Sequence, residues 1–182
     1  MDPIRVDHPL RRWFSGLVEQ AFCTDVGLCA PVLTDYMADL LVNFTYVDRL
    51  NAIRNAQGRE LEQIATMLAI ASDERPTSPV ERDCMIYRHI GDFTLFWAGV
   101  YPEQIRRGTR DPSDVLMTYV ARGKRSYSIV SDLAEEDARP PASLFRHLSE
   151  DFESCVHGLG LVRRFWEHRD PLPPNPSGEL IL

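Results

Sequence analysis

The sequence predicts an all-α protein, and three observations lead to that prediction. Apolar residues recur every three or four positions along the chain, and no segment shows the two-residue alternation of a strand. Prolines and capping residues stand where these periodic segments begin. The chain has 182 residues, 44% of them hydrophobic, which is enough to close one sizeable core. We therefore expect a single-domain bundle of about six helices over residues 1–170 and a flexible, Pro-rich, extended tail over residues 171–182.

The first half of the chain contains three periodic segments. The first predicted helix has Pro9 in its first turn and ends before a turn at Gly27. Its apolar face consists of Leu10, Trp13, Phe14, Leu17, Val18, Ala21 and Phe22. The second helix is expected over residues 31–54 and the third over residues 59–72.

The second half predicts three more helices. Ser78-Pro79-Val80-Glu81 has the pattern of a capping box and starts the fourth helix, which must kink or stop before Pro102. Asp111-Pro112-Ser113-Asp114 starts the fifth helix in the same way. Pro140-Pro141 opens the sixth, whose apolar stripe continues to Trp166.

Charge and apolar run length limit the class of protein. The 27 acidic residues exceed the 20 basic ones and give a net charge of −7, which argues against a generally basic nucleic-acid-binding protein or a polybasic membrane anchor. The longest apolar stretch is too short to span a bilayer, and the N-terminus lacks a signal-peptide core. We expect no membrane association and a bacterial-type cytoplasmic location.

The four cysteines form no C-x-x-C pair, and none has a partner at the spacing of a zinc site. They are Cys23, Cys29, Cys84 and Cys155. In a cytoplasmic protein, we expect them to be reduced and mostly buried.

The fourth helix is apolar on almost every side and is expected to be central. Gly91 and Gly99 share a face of it, and glycine in a helix suggests that another backbone comes close there, or alternatively a small ligand. Asp92 also lies in this run. A buried carboxylate needs a partner, and we expect one from Arg88 or from Arg122, Lys124 and Arg125 of the fifth helix.

The segment over residues 106–125 is locally basic in an acidic chain. Its cations are Arg106, Arg107, Arg110, Arg122, Lys124 and Arg125. Such a patch suits an acidic protein or another anion, and it is the one feature through which the chain would bind nucleic acid.

No phosphate-binding loop, nucleophile elbow or metalloprotease motif occurs, so no cofactor and no metal site is expected. Two Arg/His pairs do occur: Arg82, followed by Asp83, with His89, and Arg163 with His168. This spacing resembles that of the HEPN-type ribonucleases, which are small and all-α. The resemblance covers only these positions, and it implies that the histidine transfers a proton while the arginine holds the phosphate.

The main functional hypothesis is a non-catalytic helical protein with an interaction or regulatory role, which binds a protein or an anionic partner. A homodimer is one form that such an interaction can take. The alternatives are the HEPN-like, metal-independent ribonuclease and a small-ligand binder at the Gly91–Gly99 face.

Overall fold

The computed structural model describes residues 9–45, 78–106 and 112–168. Helices account for 87% of these residues, and none of them lies in a strand. The all-α prediction is therefore confirmed. The predicted third helix over residues 59–72 and the Pro-rich tail over residues 171–182 lie outside the described residues. None of the helices in the described ranges is long and apolar enough to cross a membrane.

The described chain forms seven α-helices and one π-helical segment. The bounds are α1 Pro9–Glu19, the π-helix Gln20–Val26, α2 Pro31–Thr45, α3 Pro79–Val100, α4 Pro102–Arg106, α5 Pro112–Leu133, α6 Ala142–Glu150 and α7 Phe152–Glu167. The start of α3 is as predicted, because the Glu81 backbone N–H donates to the Ser78 hydroxyl at 3.1 Å and Pro79 is the first helical residue.

Two predicted helices differ from the structure. The sixth is divided into α6 and α7, because Asp151 leaves helical geometry with φ −100° and ψ 24°. The first widens into the π-helix after Glu19 and ends at Gly27, whose φ of 82° is left-handed and therefore favours glycine. The apolar period of three and four continues across both features, so the periodicity alone did not reveal them.

The prediction of four reduced cysteines is wrong for Cys23 and Cys29, which form a disulfide. The turn at Gly27 explains the pairing. Because the backbone N–H groups of Gly27 and Leu28 both donate to the Phe22 carbonyl, the chain folds back beside the end of the π-helix. Cys84 and Cys155 are free thiols. Burial raises the pKa of Cys155 to about 12.

The chain divides into two compact units, and the boundary falls inside α7. One unit comprises residues 1–57 and 157–182, and the other comprises residues 58–156. The prediction of one domain over residues 1–170 stays a prediction.

The core of the first unit is built around Phe22. Its ring is fully buried and lies over Gly158 of α7, where an added Cβ would come within 2.6 Å of the ring. Phe14 of α1 is also fully buried and packs edge-on against Trp166, with ring centroids 5.6 Å apart. At the border of this core, Arg11 donates to Asp39 of α2 at 2.6 Å.

The core of the second unit lies where α5 packs against α3 and α6. Tyr127 of α5 is fully buried, and its ring lies about 6 Å from the rings of Phe145 and Phe152. Gly123, one turn earlier, leaves room for the Phe152 ring and for the Thr94 hydroxyl of α3. Thr94 is satisfied within its own helix, where its hydroxyl donates to the Ile90 carbonyl at 2.8 Å.

Replacing Gly123 tests this close approach. In Gly123→Ala, the added methyl group overlaps the buried Phe152 ring and lies 2.6 Å from the Thr94 oxygen. The overlap outweighs the gain in helix propensity, and we expect a loss of about 1–3 kcal/mol in the free energy of unfolding. Urea denaturation followed by circular dichroism measures it.

Gly16 provides the matched control, because it lies in an exposed position of α1 with no atom within 4 Å of an added Cβ. Gly16→Ala should stabilise by about 0.5–1 kcal/mol through helix propensity. If Gly123→Ala is as stable as Gly16→Ala, the packing described for Gly123 is wrong.

Candidate functional site

The centre of the second unit is the contact between Gly91 and Tyr127. The missing side chain of Gly91 allows the Tyr127 ring to lie on the backbone of α3, because an added Cβ would come within 2.6 Å of the ring. The neighbour of Gly91 is therefore a tyrosine ring. The Tyr127 ring occupies the space over Gly91. Gly99 is buried in the same helix.

Asp92 is mostly buried, and its side chain is 13% exposed. The Tyr127 hydroxyl donates to its Oδ1 at 2.7 Å, and the Arg88 Nε lies 3.9 Å from its Oδ2. The expected interaction with Arg88 is thus present at the outer limit of an ion pair. From α5, the Tyr127 hydroxyl supplies a hydrogen bond to this carboxylate.

The basic segment is divided among different environments. Arg106 is the last residue of α4, and Arg107 and Arg110 lie outside the described residues. The Lys124 Nζ donates to both carboxylate oxygens of Glu153 at 3.0 Å. Lys124 is therefore paired with the start of α7.

Arg122 and Arg125 remain on the outside of α5. Within the described ranges, no carboxylate lies within ion-pair distance of Arg125. The charge of Arg122 reaches Tyr119, where it opposes the effect of burial, although burial dominates and raises the pKa of that phenol.

These two arginines share one side of the helix with smaller and apolar residues. Met117 is the most exposed large hydrophobic residue of the described chain, at 69%. Helical spacing places it beside Thr118 and Ala121, which are also exposed. We call Met117, Thr118, Ala121, Arg122 and Arg125 the outer face of α5. Sequence reasoning identified its two arginines but missed Met117, because the helical period gave no clear assignment to that position.

The first Arg/His pair lies near the start of α3. The Arg82 side chain is 64% exposed, and its Nε lies 3.8 Å from the Asp83 carboxylate. His89 is half-buried, and its Nε2 is enclosed by the protein. Proton transfer by His89 through Nε2 would therefore require movement of its surroundings.

The second Arg/His pair lies at the end of α7. The Arg163 Nε donates to Glu167 at 2.7 Å, one turn along the helix. His168 is exposed, and its Nδ1 lies 2.6 Å from the Arg164 carbonyl oxygen. Both side chains thus contact the end of their own helix, and these contacts are typical of helix stabilisation.

Across residues 9–45, 78–106 and 112–168, no three His, Cys, Asp or Glu side chains are grouped in a way that could hold a metal ion. The comparisons with known proteins give no family: no family model, no curated protein and no solved structure matches the chain.

The bond between Tyr127 and Asp92 can be tested by a double-mutant cycle. Tyr127→Phe leaves the mostly buried Asp92 carboxylate without this donor, and we expect a loss of about 1–3 kcal/mol in the free energy of unfolding. In an Asp92→Ala background, the same change should cost less, because the carboxylate is absent. Equal losses in the two backgrounds would show that the hydroxyl does not stabilise Asp92.

The pair of Lys124 and Glu153 predicts a dependence on pH. The hydrogen bond from Lys124 lowers the pKa of Glu153 below its ordinary value of 4.5. The stabilisation is therefore complete above about pH 4.5 and is lost as the pH falls through the lower folded-state pKa. Since Glu153 is exposed, we expect Lys124→Met to lower the free energy of unfolding by less than about 1 kcal/mol near pH 6, and by a smaller amount near pH 3.

Arg125→Met is the control for that experiment, because Arg125 has no carboxylate partner in the described chain. Its effect on the free energy of unfolding should not fall off in the same way on acidification. A difference between wild type and Lys124→Met that stays constant from pH 6 to pH 3 would contradict the pairing.

Proposed function

We propose that this chain is a non-catalytic interaction protein that binds an acidic segment of a protein partner through the outer face of α5. The observation that carries the proposal is the exposure of Arg122 and Arg125 beside Met117 on one side of a helix whose other side is in the core. A large exposed apolar side chain next to cations suits a segment that combines carboxylates with apolar residues.

The chemistry of this face favours an acidic protein over nucleic acid. Arginine forms bidentate pairs with carboxylates, and Met packs against irregular apolar surfaces. Two arginines neutralise few phosphates in a chain of net charge −7. The outer face also has no aromatic residue on which a base would stack.

A cytoplasmic location belongs to the same proposal. Disulfides are rare in cytoplasmic proteins and usually transient where they occur in mesophiles, so this location requires the disulfide between Cys23 and Cys29 to be a reversible one. Two other cysteines of the chain remain thiols.

The proposal is tested with a fluorescently labelled peptide of alternating Glu and Leu residues as the probe. We expect Arg122→Glu/Arg125→Glu to weaken binding about tenfold or more at low salt, because two attractive contacts become repulsive. Raising the salt concentration should weaken binding by wild type and leave the variant little affected. Fluorescence anisotropy measures both effects.

The matched control is Arg139→Glu/Arg146→Glu, which changes the net charge equally at two exposed sites off α5. It should bind the peptide nearly as well as wild type. If both variants lose the same affinity for the peptide, the effect is due to net charge alone, and the proposal is wrong.

Two further measurements distinguish the alternatives. Preference for single-stranded RNA over the peptide, or RNA cleavage lost in His89→Ala or His168→Ala, would favour the ribonuclease. Sedimentation that shows a dimer, abolished by Arg122→Glu/Arg125→Glu, would make a second copy of the chain the partner.

A further inference from the structure

The disulfide between Cys23 and Cys29 lies where a second thiol can reach it. Cys29 is exposed, and Cys23 is half-buried in the middle of the π-helix. The other two cysteines differ from this pair. Cys155 is fully buried, and the half-buried Cys84 has a pKa raised by burial, so both are poor nucleophiles near neutral pH.

The segments on either side of the disulfide have their own anchors. Before it, the Phe22 ring is fully buried against Gly158. After it, α2 begins independently, because the Ala30 carbonyl accepts hydrogen bonds from the backbone N–H groups of Leu33 and Thr34. The bridge therefore holds only the short turn over residues 23–29, and opening it leaves the core contacts in place.

The turn is largely exposed to solvent. Thr24, Asp25 and Gly27 are exposed, and the backbone N–H groups of Gly27 and Leu28 close the turn by donating to the Phe22 carbonyl. A π-helix is rare, and such segments occur frequently at functional sites. With the bridge open, the hydrogen bonds from Gly27 and Leu28 to the Phe22 carbonyl still oppose fraying of the turn.

We propose that Cys23 and Cys29 form a thiol–disulfide exchange site, whose co-substrate is a small monothiol of the glutathione type or a dithiol reductase. The inference is independent of the function proposed for α5. Access favours Cys29 as the sulfur that is attacked.

The exchange balances in two steps. The thiolate of the reductant attacks the Cys29 Sγ, the bond between the two protein sulfurs breaks, and Cys23 leaves as a thiolate that takes up a proton. A second thiolate then attacks the reductant's own sulfur in the mixed disulfide and releases Cys29 as a thiolate, which is also protonated. The protein gains two electrons and two protons, and the reductant is oxidised to its disulfide.

The test uses the folded full-length chain in buffers of reduced and oxidised glutathione. After equilibration, iodoacetamide labels accessible thiols, and peptide mapping by mass spectrometry assigns them. We expect Cys23 and Cys29 to be labelled together as the buffer becomes more reducing, with a glutathione adduct on Cys29 at intermediate ratios. A parallel arm with a dithiol reductase shows which class of reductant acts faster.

Hydrogen exchange measures the structural consequence. On reduction, backbone amides over residues 24–29 should exchange at least about tenfold faster, while those of α5 remain unchanged. Cys23→Ser/Cys29→Ser is the control: it should show the faster exchange in every buffer and no response to glutathione.

Three results would overturn the inference. They are a disulfide that resists excess dithiothreitol until the chain unfolds, labelling of Cys23 and Cys29 in fully oxidising buffer, and loss of helical circular dichroism when the bridge opens.

Discussion

The second unit depends on the insertion of the Tyr127 ring between α5 and α3. The ring needs the absent side chain of Gly91, and its hydroxyl needs the Asp92 carboxylate on the next residue. These two requirements fix the rotation of α5 about its own axis. Because Arg122 and Arg125 are five and two positions before Tyr127, helical geometry turns both of them away from the core. The exposure of the two arginines on the outer face of α5 thus follows from the buried contact of Tyr127 with Gly91 and Asp92.

The periodicity of apolar residues predicted most of the helical architecture because it reports which side of a helix is buried. It did not reveal the break at Asp151, since helical spacing continues across it and only the backbone dihedrals change. It also did not distinguish the π-helix after Glu19, whose widened turn preserves the apolar face. The disulfide was missed for a different reason: Cys23 and Cys29 lie on either side of the predicted turn at Gly27, but the expectation of a cytoplasmic location led us to predict reduced thiols.

The positive charge of the candidate site could be predicted from the sequence, but the residues that form the site could not. The sequence places six cations over residues 106–125, yet it does not say which of them already have carboxylate partners. Lys124 is held by Glu153, which is 29 residues away along the chain, and no local pattern indicates that pair. The position of Gly123 did indicate a close contact, since glycine in the middle of a helix is costly unless another group comes near its backbone. We did not draw that prediction from the sequence.

The length of the disulfide loop bears on its role. Stabilisation by a cross-link grows with the number of residues it encloses, so the six-residue separation of Cys23 and Cys29 places it near the lower end, at about 2 kcal/mol in the chain-entropy treatment. A cross-link meant to hold a unit together would join distant segments, such as α1 and α7, where the gain is larger. In the first unit, those segments are joined instead by the buried rings of Phe14 and Phe22, against Trp166 and Gly158. Because the core contacts do not need the bridge, it can open without breaking them, and a reversible bond at the surface fits that position better than a permanent one.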